Sequence, residues 1–251
     1  MSGHSKWATI KRSKGKADAA RGKLFNRLIR EITIAARMGG GDPAGNPRLR
    51  SAIASARDNN MPNKNIENAI AKGTGQLEGV AYEEATLEGY APGGVAILVE
   101  LMTDNRNRAV AEVRHVFTKA GGNLGAANSV NWMFKSKGIL RVPKAAADEE
   151  KLMELALEAG ADDMTQQGDC FEITTEPGAF ENVRGALEKA GIKPESAEIA
   201  KVAENAVKVE GENAMKVLRL LDALDELDDV QKVFSNADFD DAAVEAFSKD
   251  K

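Results

Sequence analysis

The sequence predicts an α+β protein with three domains: an N-terminal three-helix domain, a discontinuous α+β middle domain, and a ferredoxin-like domain inserted into it. Helical periodicity fills the first 75 residues, and strand patterns begin only near residue 85. A later stretch has the complete βαββαβ order of a ferredoxin-like unit. The expected domains are 1–78 (helical), 79–135 with 206–240 (middle) and 136–205 (ferredoxin-like), followed by a C-terminal tail at 241–251.

The N-terminal domain is predicted from glycine and proline breaks between three amphipathic stretches. Apolar residues recur at i, i+4 and i+7 over 17–38, and the run 39–43 ends that helix with glycines and a proline. The pair Asn46-Pro47 suits an N-cap and a first helical position, and it begins a helix that extends to about residue 59. A third helix follows the next proline and ends at Gly73.

The middle domain is predicted to be discontinuous because its first part is incomplete. Strands at 85–90 and 94–100 flank a Pro-Gly-Gly turn and predict a hairpin, which a helix at 105–120 follows. Either Thr103 or Asp104 is expected to cap that helix. This unit lacks a second helix and a third strand, and residues 212–234 supply both.

The ferredoxin-like domain is predicted between those two parts. Its elements are a strand at 139–142, a helix at 148–159, strands at 163–167 and 170–174, a helix at 178–190 and a strand at 197–203. Residues 144–200 carry five basic and fourteen acidic side chains, so this surface repels a phosphate backbone. A protein contact or a spacing role is expected there instead.

Charge is divided unevenly along the chain. Residues 1–75 carry fifteen Lys+Arg against five Asp+Glu, whereas the remaining 176 residues carry 19 against 34. A basic head on an acidic body indicates that the head binds a polyanion such as nucleic acid. The expected backbone contacts are Lys6, Lys11, Arg12, Lys14, Lys16, Arg21, Lys23, Arg27 and Arg30, with Trp7 as a candidate for stacking on an unpaired base. The alternative is a solubilising tail with Trp7 docked on the helices.

Two further sites are candidates for contact with nucleic acid. The tight break between the second and third helices resembles a helix-turn-helix, which would present Lys64, Asn65 and Asn68 to a groove; a solvated helical hairpin is the alternative. Arg106 and Arg108 follow a strand at a helix N-terminus, where they would clamp a phosphate or pair with acidic neighbours.

The sequence offers little support for catalysis. Two histidines and one cysteine cannot form a zinc site of Cys/His type, and no phosphate-binding or nucleophile-elbow motif occurs. We therefore expect no enzymatic activity, no metal and no cofactor. The single cysteine fits a reducing compartment, and no apolar run reaches eighteen residues, so a cytoplasmic protein without a membrane span is expected.

Several motifs together resemble the YebC/PmpR family, which includes the mitochondrial translational activator of cytochrome oxidase. They include Gly3-His-Ser-Lys-Trp-Ala, Glu88-Gly-Tyr-Ala-Pro-Gly-Gly, Thr103-Asp-Asn-Arg-Asn-Arg and Ala120-Gly-Gly-Asn-Leu-Gly. The resemblance covers essentially the whole chain. It implies a three-domain α/β protein with a ferredoxin-like third domain and no enzymatic activity or cofactor. It also implies a probable DNA-binding transcriptional regulator, and members of the family are linked to translation through ribosome contacts.

The sequence thus favours a non-enzymatic regulator of gene expression, a DNA-binding transcriptional regulator that docks through its basic N-terminal domain. One alternative is a translation factor that binds ribosomal RNA on the ribosome. A second is a protein-interaction scaffold whose basic head docks on its own acidic body. The expected partners are nucleic acid and a protein on the acidic domains.

Overall fold

The computed structural model describes residues 17–249 of the chain and confirms the α+β class. The helices are α1 (Ala17–Gly39), α2 (Pro47–Asp58), α3 (Asn63–Gly73), α4 (Arg106–Lys119), α5 (Glu149–Glu158), α6 (Phe180–Lys189), α7 (Gly211–Asp225) and α8 (Asp241–Lys249). The strands are β1 (Glu83–Ala91), β2 (Val95–Thr103), β3 (Asn123–Leu124), β4 (Phe134–Pro143), β5 (Ala161–Gln167), β6 (Cys170–Thr175), β7 (Ser196–Ala203), β8 (Val207–Val209), β9 (Val230–Ser235) and β10 (Ala237–Phe239).

Helices α1, α2 and α3 pack around one apolar core, which includes Ile32, Leu49 and Ile66. Asn46 caps α2 as predicted: its side-chain oxygen accepts a hydrogen bond from the backbone N–H of Leu49 at 3.1 Å. The end of α3 lies so close to α1 that a Cβ on Gly73 would approach a backbone oxygen of α1 to 2.4 Å, and only glycine fits there.

The middle sheet has the strand order β3-β1-β2-β9. Strand β9 pairs antiparallel with β2, although more than 120 residues separate them, and α7 precedes it. This pairing confirms that residues 212–234 complete the sheet that begins near residue 85. One face of the sheet packs against α4 and α7, whose buried residues include Val113, Phe117 and Leu221.

The second four-stranded sheet has the order β5-β6-β4-β7, with every neighbouring pair antiparallel. This order, with α5 and α6 as its two helices, is the ferredoxin-like arrangement that the sequence predicts. Leu140, Leu152 and Val183 lie in its core. A further apolar cluster, with Leu98 and Phe134 among its buried members, joins this sheet to the middle sheet.

Two local predictions need correction. The N-cap of α4 is Asn105, whose side chain accepts the N–H of Arg108 at 3.1 Å; Thr103 instead accepts the N–H of Asn105 at 3.0 Å. The expected tail at 241–251 begins with the helix α8, which buries Phe247 in the core of the middle domain. Ala243, Val244 and Phe247 share one face of this helix and pack against that core. The domain borders themselves stay a prediction.

Candidate nucleic-acid interface

Six of the residues expected to contact nucleic acid lie outside the described part of the chain. They are Lys6, Trp7, Lys11, Arg12, Lys14 and Lys16. Their role stays a prediction. The other candidates lie on α1, on α3 and at the start of α4, and the structure places them in three different settings.

Three of the predicted cations on α1 face a loop of the middle domain. Lys23, Arg27 and Arg30 are spaced four and three residues apart, so they share one face of the helix. All three donate hydrogen bonds to residues 225–230, the segment that joins α7 to β9. Arg21 lies on α1 closer to its N-terminus and is exposed. We name the three inward-facing cations the α1 clamp.

The α1 clamp caps the C-terminal end of α7, where the last backbone carbonyls lack partners within the helix. Arg27 donates to the carbonyl of Asp225 at 2.5 Å and, through Nε, to the carbonyl of Val230 at 2.9 Å. Lys23 lies 2.5 Å from the carboxylate of Glu226. The cations also interact favourably with the negative end of the helix dipole.

Asp229 is the centre of this contact. Its buried carboxylate accepts a hydrogen bond from the hydroxyl of Thr103 at 2.8 Å and lies 2.7 Å from the guanidinium of Arg108. Arg30 approaches the other carboxylate oxygen at 3.3 Å. One aspartate therefore joins the helical domain to β2 and α4 of the middle domain.

Arg108 is held by two carboxylates at once. Its guanidinium donates to Asp229 and, at 2.6 Å, to Asp104. Two hydrogen bonds, first the one to Asp229 and then the one to Asp104, raise the pKa of Arg108 above its ordinary value. The hydrogen bond between Arg108 and Asp104 also lowers the pKa of the Asp104 carboxyl. Of the two expected phosphate clamps, Arg108 is thus occupied within the molecule, as the alternative anticipated. Arg106 is exposed and forms no ion pair with another described residue.

The candidates on α3 lie apart from the α1 clamp. Lys64 and Asn68 are exposed and one helical turn apart, and Asn65 is half-buried. The opposite face of α3 packs on α1 through Ile66 and Ala69. The structure therefore presents Lys64 and Asn68 to solvent, as a groove-binding helix and a solvated hairpin both require.

A second set of contacts between the helical and middle domains escaped the sequence reasoning. Arg48 bridges Glu31, at 2.7 Å, and Glu84 at the start of β1, at 2.6 Å. Hydrogen bonds to these two carboxylates raise the pKa of Arg48. Arg37 donates to the backbone carbonyl of Tyr82. Opposite charges on the two domains were the sequence signal for the pair of Arg48 with Glu84 alone, and the contact of Arg37 with a backbone carbonyl had none.

The described residues offer no group of three or more metal-ligating side chains. Cys170 is buried, and burial is the first cause that raises the pKa of its thiol. Between residues 17 and 249, none of the helices combines the length and apolar character that crossing a membrane requires.

Two family models together match nearly the whole chain. Residues 5–76 match the N-terminal domain of the TACO1/YebC protein, and residues 82–237 match the second and third domains of TACO1/YebC. The chain belongs to the TACO1/YebC family. This membership confirms the resemblance drawn from the motifs, and it agrees with a helical domain followed by two mixed domains.

Relatives in the TACO1/YebC family are close. A probable transcriptional regulatory protein of Desulforapulum autotrophicum is 58% identical over 246 residues, which cover 98% of this chain and 100% of the relative. A second, from Koribacter versatilis, is 59% identical over 245 residues, or 98% of each chain. A crystal structure of a conserved hypothetical protein from Aquifex aeolicus, 51% identical, covers 91% of this chain and 94% of its own with a TM-score of 0.84.

Proposed function

We propose that this TACO1/YebC protein is a non-enzymatic regulator of transcription that binds DNA through its basic N-terminal segment. The names of its close relatives support regulation of transcription. The observation that carries DNA binding is the division of charge: ten more basic than acidic residues precede residue 76, and the rest of the chain is acidic.

The contacts of α1 within the chain support a smaller set of nucleic-acid-binding cations. The α1 clamp holds the helical domain on the body, so Lys23, Arg27 and Arg30 act as docking residues in this arrangement. The phosphate contacts then come from the segment 6–16 and from Arg21.

The test is equilibrium binding of the full chain to labelled duplex DNA over a range of salt concentrations. With about five phosphate contacts, log K falls with log salt at a slope of roughly −4 to −5. A quadruple variant of Lys11, Arg12, Lys14 and Lys16 to Ala should weaken binding to all sequences alike and make the slope shallower by about 3.6. A matched control replaces Lys151, Lys189, Lys193 and Lys208, exposed lysines of the body, and changes net charge equally.

Two outcomes would replace this proposal. Salt-sensitive co-sedimentation with ribosomes, together with weak sequence-independent DNA binding, would make the protein a translation factor. Absence of any salt-dependent nucleic-acid binding would favour a scaffold whose head docks on its own body, since Lys23, Arg27 and Arg30 already make such contacts.

A further inference from the structure

Helix α4 has one buried and one open face. Ala109, Val113 and Phe117 recur every four residues and pack into the core of the middle domain. The opposite face forms a shallow, open groove lined by small and polar side chains and by two basic ones. Its residues are Asn107, Val110, Ala111, Arg114, His115 and Thr118.

This face is a basic island on an acidic body. Residues 105–135 carry five Lys+Arg and a single acidic residue, Glu112, whereas the other residues after 75 carry 14 Lys+Arg against 33 Asp+Glu. Arg106, Arg114 and Lys119 are exposed and form no ion pair within the described part of the chain. Their charges are therefore available to an external anion, unlike that of Arg108.

The basic island adjoins α1, the helix that follows the basic segment 6–16. Arg30 of α1 and Arg108 of α4 bind the same carboxylate, that of Asp229, at 3.3 and 2.7 Å. The first turn of α4, with Arg106, thus lies beside α1. From Arg106 to Lys119 the helix extends about 20 Å, which is several phosphate spacings of a nucleic-acid strand.

We infer that the open side of α4 is a second phosphate-binding surface, on which Arg114 and Lys119 hold the nucleic-acid backbone beyond the basic N-terminal segment. The inference rests on the proposed function. The small side chain of Ala111 lets a backbone approach closely. The contacts are to backbone, so they add affinity and orientation without reading sequence.

The test compares the full chain with an Arg114→Ala, Lys119→Ala double variant. Binding to labelled duplex DNA and to labelled single-stranded RNA is measured over a range of salt concentrations. Loss of two phosphate contacts should lower affinity about tenfold or more near 0.1 M salt. It should also make the log–log salt slope shallower by about 1.8 for duplex DNA and about 1.4 for the single strand.

The control variant is Lys189→Ala, Lys193→Ala. It removes the same net charge, and Lys189 lies in the last turn of α6 as Lys119 does in α4. This control should bind like the unaltered protein. Arg114→Lys keeps the charge and should keep most of the affinity, which separates loss of charge from loss of folding.

Each result decides between the two proposals. An α4 double variant that binds like the unaltered protein, while the latter shows salt-dependent binding, overturns this inference and leaves the proposed function standing. An equal loss in the control also overturns it, because net charge alone then explains the effect. An unaltered protein that binds neither nucleic acid refutes the proposed function, and the inference falls with it.

Discussion

Removal of the Asp229 carboxylate should weaken the contact between the helical and middle domains. In an Asp229→Ala variant the hydroxyl of Thr103, buried in the structure, loses its acceptor, which costs about 1–3 kcal/mol. The side chain of Arg30 is only 15% exposed, so it loses its ion-pair partner where little water can replace it. The side chain of Arg108 is 45% exposed, so water replaces the lost partner at a cost of about 0–1 kcal/mol. The free energy of unfolding should fall by about 3 kcal/mol.

The assay is equilibrium unfolding in urea, followed by circular dichroism. Asp228→Ala is the matched control, because Asp228 is exposed and accepts from Arg30 only through its backbone carbonyl. Its effect should remain below about 0.5 kcal/mol. Equal effects of the two substitutions would refute the reasoning, because the buried carboxylate would then contribute no more than an exposed one.

A double-mutant cycle locates the contribution of the α1 clamp within that total. Arg30→Met and Asp229→Asn, made singly and together, should show a coupling energy of at least about 0.5 kcal/mol, since the two groups lie 3.3 Å apart in the structure. Additive effects would mean that Asp229 stabilises β2 and α4 alone, and that α1 docks through Lys23 and Arg27.

Two further predictions concern residues away from the interface. Burial raises the pKa of Glu88, but hydrogen bonds from backbone N–H groups of the 128–131 loop lower it by a larger amount. The net pKa of Glu88 is therefore below its ordinary value. The ionised carboxylate therefore stabilises the folded protein above the unfolded pKa, and this stabilisation is lost as pH falls through the folded pKa. Glu88→Gln should lower the free energy of unfolding in urea by about 1–2 kcal/mol at neutral pH and should have no effect in strong acid. Phe247→Ala should cost about 3–5 kcal/mol in urea unfolding, with Lys249→Ala as an exposed control, because the Phe247 ring is buried. An effect no larger than that of the control would mean that α8 does not contribute to the core.

The elements of the fold were predictable where helix-breaking and helix-capping residues mark their ends in the sequence. Proline and glycine mark the ends of α1 and α2, and the pair Asn46-Pro47 predicted the N-cap and the first residue of α2. The insertion was predictable by elimination, because an incomplete unit near residue 85 requires a later helix and strand. The paired strands β8 and β10 were not predicted, because each has three residues, which are too few to show a period-2 pattern.

The sequence predicted which cations belong to the candidate site, but it did not predict which groups those cations bind. The division of charge indicated Lys23, Arg27 and Arg30, and the position at a helix N-terminus indicated Arg108. All four bind carboxylates or carbonyls of this same chain, a result that was an alternative for Arg108 and that the charge division does not reveal for the other three. The partners of the α1 clamp lie about 200 residues away in sequence. No local spacing rule applies over such a separation, and the cluster of acidic residues at 225–229 resembles an ordinary solvated turn.

The docked clamp also determines how a salt titration of nucleic-acid binding should be interpreted. Salt screens exposed pairs such as Lys23 with Glu226 strongly, but it screens the buried Asp229 carboxylate much less. The helical domain should therefore remain docked at salt concentrations that release a nucleic acid from the exposed cations of the head and of α4. Under that condition the slope of log K against log salt counts phosphate contacts. If the Asp229→Ala variant gave a different slope from the unaltered protein, the clamp would be coupled to binding, and Lys23, Arg27 and Arg30 would return to the list of phosphate-binding residues.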